Sequence, residues 1–324
     1  MSTVNLNFVI PRHPHLSDLS VDEFSLNDFP YWLGGAVNWV LRAYVNLKEN
    51  YPNSTVSYSL CESSINIIHV RTLRELGGKK GCYCVVIRAD YRRLYDCDVE
   101  IVQNIRQANY SRKRFYITYW ALPRIIKRVN RWPPRVIGYA GRLGPNNLDE
   151  KVVNYLNEQF GKLIEFRIIP NELWHDASDI DIYLAYRNRA SRHSINKPPS
   201  KLINAWLSEV PLIAGMDIAY RDLGIHGADY LACDGVDQLI SSVDRLLNDK
   251  EFYERIVRNG VLRSSAYSDT VITEEWIRVV QFAQSDYHNI KSKSKILKYL
   301  KCALMRSVDS FIDILYNFKE KISK

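Results

Sequence analysis

No stretch of this 324-residue chain approaches the roughly 18–20 consecutive apolar residues that a membrane-spanning helix needs. Met1 to Pro11 lacks a basic region followed by an apolar stretch and a cleavage site, so no secretory signal is expected. The six cysteines (Cys61, Cys82, Cys84, Cys97, Cys233, Cys302) form no Cys-x-x-Cys pair and have no histidine at zinc spacing. Cys82 and Cys84 sit two apart in an apolar run, which puts both on one face of a strand. Buried free thiols and a cytoplasmic chain are the expectation. No compositional bias points to disorder, collagen or a coiled coil, because 46% hydrophobic and 25% charged is ordinary for a folded protein.

Charge of one sign is also missing from most of the chain. The total of +8 comes from 44 Lys+Arg against 36 Asp+Glu. Residues 1–70 carry 3 positive and 6 negative groups, and residues 136–290 carry 16 and 22. The excess sits in residues 71–135, with 16 against 5, and in residues 291–324, with 9 against 3. A uniformly basic nucleic-acid binder is excluded, and no nucleic-acid partner is expected.

What is present is an alternation of strand and helix patterns. Phe8–Ile10 reads as a strand, and helical spacing of Val37, Val40, Leu41, Tyr44 and Val45 marks a helix between Asp28 and Tyr51, with Gly34-Gly35 just before it. Thr55–Leu60, Ile65–Val70, Tyr83–Ile87 and Val99–Val102 follow as strands, and Thr72–Leu76 opens a helix. Trp132-Pro-Pro134 interrupts the pattern. Beyond it, strands are expected at Val136–Ala140, Ile164–Ile168, Ile180–Ala185, Pro211–Ala214 and Tyr230–Cys233. Helices are expected at Asp149–Phe160, Ser200–Leu207, Val236–Leu247 and Phe252–Asn259. Two doubly wound parallel α/β sheets follow, as an acceptor-side domain at 1–132 and a second domain at 133–285, with a cleft between them as the natural site. Residues 286–324 form a basic tail. Within it Leu297, Leu300, Leu304, Val308, Phe311, Leu315, Phe318 and Ile322 describe one helical face. Such a helix either lies on an anionic membrane surface or packs on the protein.

The strongest local feature is Lys197-Pro-Pro-Ser-Lys-Leu-Ile-Asn-Ala-Trp206, followed by Val210-Pro-Leu-Ile-Ala-Gly215. Prolines set a helix start, Ser200 is a good N-cap, and Lys197 and Lys201 add charge beside free N–H groups; this is either an arrangement suited to a diphosphate or an ordinary capped helix with solvated lysines. This stretch resembles the Pro-Ser-Lys-Leu signature of GT-B glycosyltransferases of the family 4 (group 1) type. Pro199, Ser200, Lys201, Leu202, Ala205, Pro211 and Ile213 match in register, and Val136-Ile-Gly-Tyr-Ala-Gly-Arg142 is similar to that family's opening strand and Gly-Arg loop. The resemblance covers roughly residues 133–280. It implies a GT-B fold, a nucleotide-sugar donor, and Gly141, Arg142, Ser200 and Lys201 holding its diphosphate. Two departures stand out: Asn204 and Asn196 replace the family's paired glutamates. Asn204 can still bond a ribose hydroxyl, and Lys197 is offered as added positive charge.

On the acceptor side, Gly34 and Gly35 resemble the fold's N-terminal glycine loop, or form a simple tight turn. Arg88, Gln103 and Asn104 fall at or past strand ends and are acceptor candidates. No general base is named, and His69 and Asp90 are the candidates if inversion requires one; the resemblance favours retention. Asp96-Cys-Asp98 and Asp179-Ile-Asp181 are cheap spacings in an acidic chain, and no metal or other cofactor is expected. Arg106 to Arg135 mixes basic and aromatic residues, consistent with a lipid-linked or anionic acceptor, a solvated face, or single-stranded nucleic acid. The combined expectation is a cytoplasmic glycosyltransferase, peripheral on a membrane, acting on a glycan or lipid-linked acceptor in polysaccharide or glycoconjugate assembly. The alternative is a non-catalytic GT-B-like scaffold that binds anionic or membrane surfaces.

Overall fold

The computed structural model describes residues 4–12, 34–144, 147–187 and 195–291, with 300, 303–305, 307–308 and 311 beyond them. The chain divides into two compact units. Residues 34–117 and the body of the last long helix, from Thr273 onward, belong to the first, and residues 118–272 to the second.

The first unit holds a six-stranded sheet in the order β2-β1-β3-β4-β5-β6. Its strands are β1 (Leu6–Val9), β2 (Thr55–Ser57), β3 (Ile65–His69), β4 (Tyr83–Ile87), β5 (Val99–Val102) and β6 (Arg114–Tyr116). Every pairing is parallel. The central strands are buried along their whole length, as inner strands of a parallel sheet are, and are apolar but for Asn66, His69 and Glu100. Helix α1 (Gly35–Leu47) buries Val37, Val40, Leu41, Tyr44 and Leu47, and the short α2 (Val70–Glu75) follows β3 directly. On one face Cys82 and Cys84 pack with Val9, Ile68, Val70, Leu73, Val86 and Leu94. Burial holds both thiols above their ordinary pKa, as expected of inert core cysteines.

Helix α8 (Asp269–Lys291) contributes much of the remaining cover. Phe282 meets Phe115 at 4.9 Å, Tyr287 meets Tyr83 edge-on, and Asp286 accepts hydrogen bonds from Tyr83 Oη (2.8 Å) and Lys113 Nζ (2.6 Å). Asp286, where the sequence pattern starts a tail, therefore lies inside a packed helix. Most of the tail beyond Lys291 lies outside the described residues. Among its described positions Leu300, Leu304 and Phe311 are exposed. No described helix is long and apolar enough to cross a membrane.

The second unit holds a five-stranded parallel sheet in the order β11-β10-β9-β7-β8. Its strands are β7 (Val136–Tyr139), β8 (Glu165–Ile168), β9 (Ile182–Ala185), β10 (Leu212–Ala214) and β11 (Leu231–Ala232). Helices α3 (Glu150–Phe160), α4 (Ser200–Leu207), α5 (Ile218–Leu223), α6 (Val236–Asn248) and α7 (Lys250–Ser264) complete it. One core packs α3, α6 and α7 residues such as Leu156, Leu246 and Ile256 on the sheet, and another packs α4 through Leu202, Ile203 and Trp206. Trp206 Nε1 donates to Asp229 O at 2.9 Å, so its one polar atom is satisfied.

The basic-aromatic stretch is split between the units, residues 106–117 in the first and 118–135 in the second. Residues 118–132, counted with the first domain on sequence grounds, are tied to the second unit. Arg128 and Arg131 pair there with Asp181, and Leu122 N–H bonds Asn204.

Candidate functional site

In the second sheet β7 and β9 are neighbours, yet the chain leaves them in opposite directions across the sheet. The carboxyl ends at such a reversal flank a crevice where ligands of open α/β sheets bind. Three connections meet there: 140–144 with 147–148 after β7, 186–187 after β9, and 215–217 after β10.

The loop after β7 is shaped by Tyr139. Its buried hydroxyl donates to Arg142 O at 3.2 Å and accepts from Leu148 N–H at 3.4 Å. A Cβ at Gly141 would lie 2.8 Å from the Tyr139 ring, so the chain passes there only as glycine. The Arg142 side chain is exposed. Lys201, in the first turn of α4, is half-buried and sets its Nζ 4.8 Å from the centroid of the same Tyr139 ring, a cation–π contact.

Asp217, 3% exposed, is the one carboxylate in this group. Its Oδ1 is 3.3 Å from Arg187 Nη1, while Oδ2 is buried without a hydrogen-bond partner among the described residues. Burial raises the Asp217 pKa, and Arg187, Lys201, Lys197 and Arg221 oppose that rise. Lys201 is pushed down to about 7, first by burial and then by Arg187 and Lys197, against the pull of Asp217. The cations therefore feel one another, and one half-satisfied acid balances them. Such a cluster is built to accept further negative charge.

Helix α4 opens differently from the sequence expectation. Pro199, not Ser200, is the N-cap, and its carbonyl accepts from Leu202 and Ile203 N–H at 3.0 and 3.2 Å. Ser200 is the first helical residue. Proline has no side-chain acceptor, so no side chain caps this helix, and its positive end is left to other anions. The side chain of Asn204 points elsewhere: its Oδ1 accepts from Leu122 N–H at 3.1 Å. The amide expected to bond a ribose hydroxyl thus has one of its oxygen's two lone pairs engaged by the backbone.

Gly141, Arg142, Lys197, Ser200 and Lys201 fall at this one end of the sheet. Tyr139, Arg187 and Asp217 join them and were not singled out from sequence. Each stands at or just past a strand end, and only parallel pairing assembles them.

In the first unit the reversal lies between β1 and β3. Gly34 caps α1 with φ 80°, a left-handed conformation that favours glycine. A Cβ on Gly34 or Gly35 would meet nothing within 4 Å, so the space before this helix is open among the described residues. His69 ends β3 and caps α2. Its Nδ1 accepts from Arg71 N–H at 3.2 Å, which leaves Nε2–H to donate to Ala89 O at 3.2 Å. Burial lowers its pKa to about 4. Both ring nitrogens are occupied in one neutral tautomer, the arrangement of a structural histidine. Asp90 is exposed, past the end of β4, with φ 63°.

Arg88, Gln103 and Asn104 are brought to the adjacent carboxyl ends of β4 and β5, and all are buried. Arg88 faces Glu100. Among the described residues Gln103 has no partner on either amide atom, and Asn104 Oδ1 accepts from Arg106 N–H while its Nδ2 has none.

The two Asp-x-Asp triplets are engaged elsewhere. Asp98 binds Lys79 Nζ at 2.7 Å and Cys84 N–H at 2.9 Å, and Asp181 binds two arginines and two backbone N–H groups. Among the described residues no three His, Cys, Asp or Glu side chains gather as a metal site.

The parallel sheets, their topology and the helix start define a two-domain Rossmann-like GT-B fold, and solved structures agree. AviGT4, a glycosyltransferase involved in avilamycin A biosynthesis, matches with a TM-score of 0.56 at 13% identity, covering 88% of this chain and 99% of that one. Sucrose-phosphate synthase from Thermosynechococcus elongatus matches at 0.50 with 12% identity, covering 77% and 79%. A point mutant of S. aureus TarM, in complex with fondaparinux, alpha-GlcNAc-glycerol and UDP, matches at 0.50 with 12% identity over 75% of this chain, which spans 59% of TarM. No family model and no curated protein sequence matches the chain.

Proposed function

We propose that the chain is a glycosyltransferase that moves a sugar from a nucleoside-diphosphate sugar to an acceptor hydroxyl. The observation that carries this reading is the cation group Arg187, Lys197 and Lys201 around the half-satisfied Asp217, at the uncapped start of α4. Diphosphate oxygens would accept from these cations and from the Gly141–Arg142 loop, and neutralise charge that Asp217 alone cannot. As the bond from the sugar C1 to the phosphate oxygen breaks, the same cations stabilise the leaving diphosphate without a metal. UDP is the first nucleotide to test, since the TarM mutant was solved with it.

The reaction is proposed to retain anomeric configuration. The acceptor proton then passes to a donor phosphate oxygen, and no protein base is needed. The engagement of both His69 nitrogens supports this reading. The acceptor is proposed to be a glycan or a lipid-linked precursor, in polysaccharide or glycoconjugate assembly in the cytoplasm. The exposed Leu300, Leu304 and Phe311, with the lysines around them, support docking on an anionic membrane. Vesicles containing phosphatidylserine should float the full chain and leave one ending at Lys291 behind.

One observation favours the scaffold instead. Asn204 turns its oxygen to Leu122, and Asn196 also stands where a glutamate is usual. Nucleoside diphosphate release from a panel of UDP-, GDP-, ADP- and dTDP-sugars separates the two. An enzyme releases product from at least one donor and loses it with Lys201→Ala. A scaffold releases none.

A further inference from the structure

The first unit contains a group of three cations around a single carboxylate. Register places Val86 opposite Glu100 and Glu100 opposite Arg114, and Arg88 continues β4 two residues beyond Val86, on the same sheet face. Arg93 comes from the segment after β4, stacked 4.0 Å from the Tyr95 centroid. Glu100 interacts with all three guanidinium groups and accepts from Leu94 N–H. Three cations thus share one carboxylate.

The sharing is incomplete. Arg88 is 3% exposed, and its Nε lies 3.2 Å from Glu100 Oε1, but neither atom completes a hydrogen bond. Among the described residues Arg88 Nη2, Arg93 Nε and Arg114 Nε also have no partner, and Arg114 Nε stays 3.9 Å from Glu100 Oε2. Buried guanidinium donors without acceptors are costly, and native proteins rarely keep several together without a reason. A multiply oxygenated anion supplies the missing acceptors and charge at once. Beside them Gln103, 1% exposed, and Asn104 Nδ2 offer uncharged amide groups suited to hydroxyls.

We propose that Arg88, Arg93 and Arg114, gathered on Glu100 beside the carboxyl end of β4, bind an oxyanion (phosphate, sulfate or carboxylate) carried by the acceptor. This rests on the first unit being the acceptor side. The acceptor is then an anionic, hydroxyl-bearing molecule, with Gln103 and Asn104 contacting its hydroxyls.

The test is titration calorimetry on the full chain carrying Lys201→Ala, which weakens the cation cluster of the second unit. Inorganic phosphate, sulfate and glucuronate are titrated separately, against chloride at matched ionic strength. Saturable binding of at least one, weakened tenfold or more by Arg93→Gln or Arg114→Gln, is the expected result, and the tightest of the three identifies the group. Both arginines are half-buried at strand and loop positions, so two independent variants guard against a folding failure in either. Absence of saturable binding by all three anions overturns the proposal, as does binding unchanged in both variants. A separate titration of the wild-type chain with UDP tests the donor reading, so either reading can fail while the other stands.

Discussion

Two buried carboxylates, each set among arginines, end up in opposite conditions. Asp181, just ahead of β9 at the amino end of the second sheet, is fully used. It accepts from Arg128 Nε at 3.0 Å, Arg131 Nε at 3.1 Å, Arg135 N–H at 2.7 Å and Val136 N–H at 3.0 Å. The arginines are themselves anchored, Arg128 on the Arg131 carbonyl and the Tyr253 ring, Arg131 on Asp179 O. Glu100, in β5 near the carboxyl end of the first sheet, has three arginines around it and a completed hydrogen bond to none of the two that approach it most closely. Burial raises its pKa, and the guanidinium charges only oppose that rise. The chemistry is the same and the difference is position. At the amino end a closed network ties residues 128–135 to the sheet; near the carboxyl end an open one waits for a ligand.

The largest effect should come from breaking the closed network. Asp181→Asn strands two arginines and is expected to destabilise the chain by about 3–5 kcal/mol, read from urea unfolding. Glu100→Gln should cost less, about 1–3 kcal/mol, because the pair it breaks is already incomplete. If the two substitutions cost the same, the contrast between the sites is wrong. Phosphate sharpens it further, since it should raise the melting temperature of Glu100→Gln more than that of Asp181→Asn.

A pH-dependent effect is expected from Lys201, whose folded pKa of about 7 lies below its ordinary 10.5. Between those values the unfolded chain carries a proton the folded one lacks, so stability should rise with pH from about 7 toward 10.5. Lys201→Met should flatten that rise. A bound diphosphate favours the charged lysine, so nucleotide affinity should fall as pH climbs above 7, and calorimetry in buffers of different ionisation enthalpy should show proton uptake.

The smallest effect concerns His69. Its ring stays neutral in the fold down to about 4, so stability should decline as pH falls from 6.5 toward 4. His69→Ala removes a cap and should cost about 1 kcal/mol, measured by thermal unfolding.

Much of the fold was legible because buried parallel strands are short continuous apolar runs. Tyr83–Ile87 and Val99–Val102 have the same limits in sequence pattern and structure, as does α4. Strand β6 was hidden: Arg114-Phe-Tyr116 is a three-residue edge inside a charged stretch, recognisable only through its pairing with β5. Helix α8 was missed because its body packs on a unit distant in sequence, where Tyr83 and Phe115 hold it. At the candidate site, the Gly141-Arg142 loop and the lysines around α4 could be read locally. Arg187 and Asp217 could not, because each follows a different strand and neither belongs to a motif. The side-chain direction of Asn204 was equally invisible, since it depends on the backbone of Leu122.

The central question is whether the cations around Asp217 hold a nucleoside diphosphate. The deciding measurement is the melting temperature of the wild-type chain and of Lys201→Ala with increasing UDP, extended to GDP and ADP. A ligand that binds only the folded state must raise it. The prediction is a saturable rise with at least one nucleotide in the wild-type chain, lost in Lys201→Ala. No rise with any nucleotide, or the same rise in both chains, would contradict it.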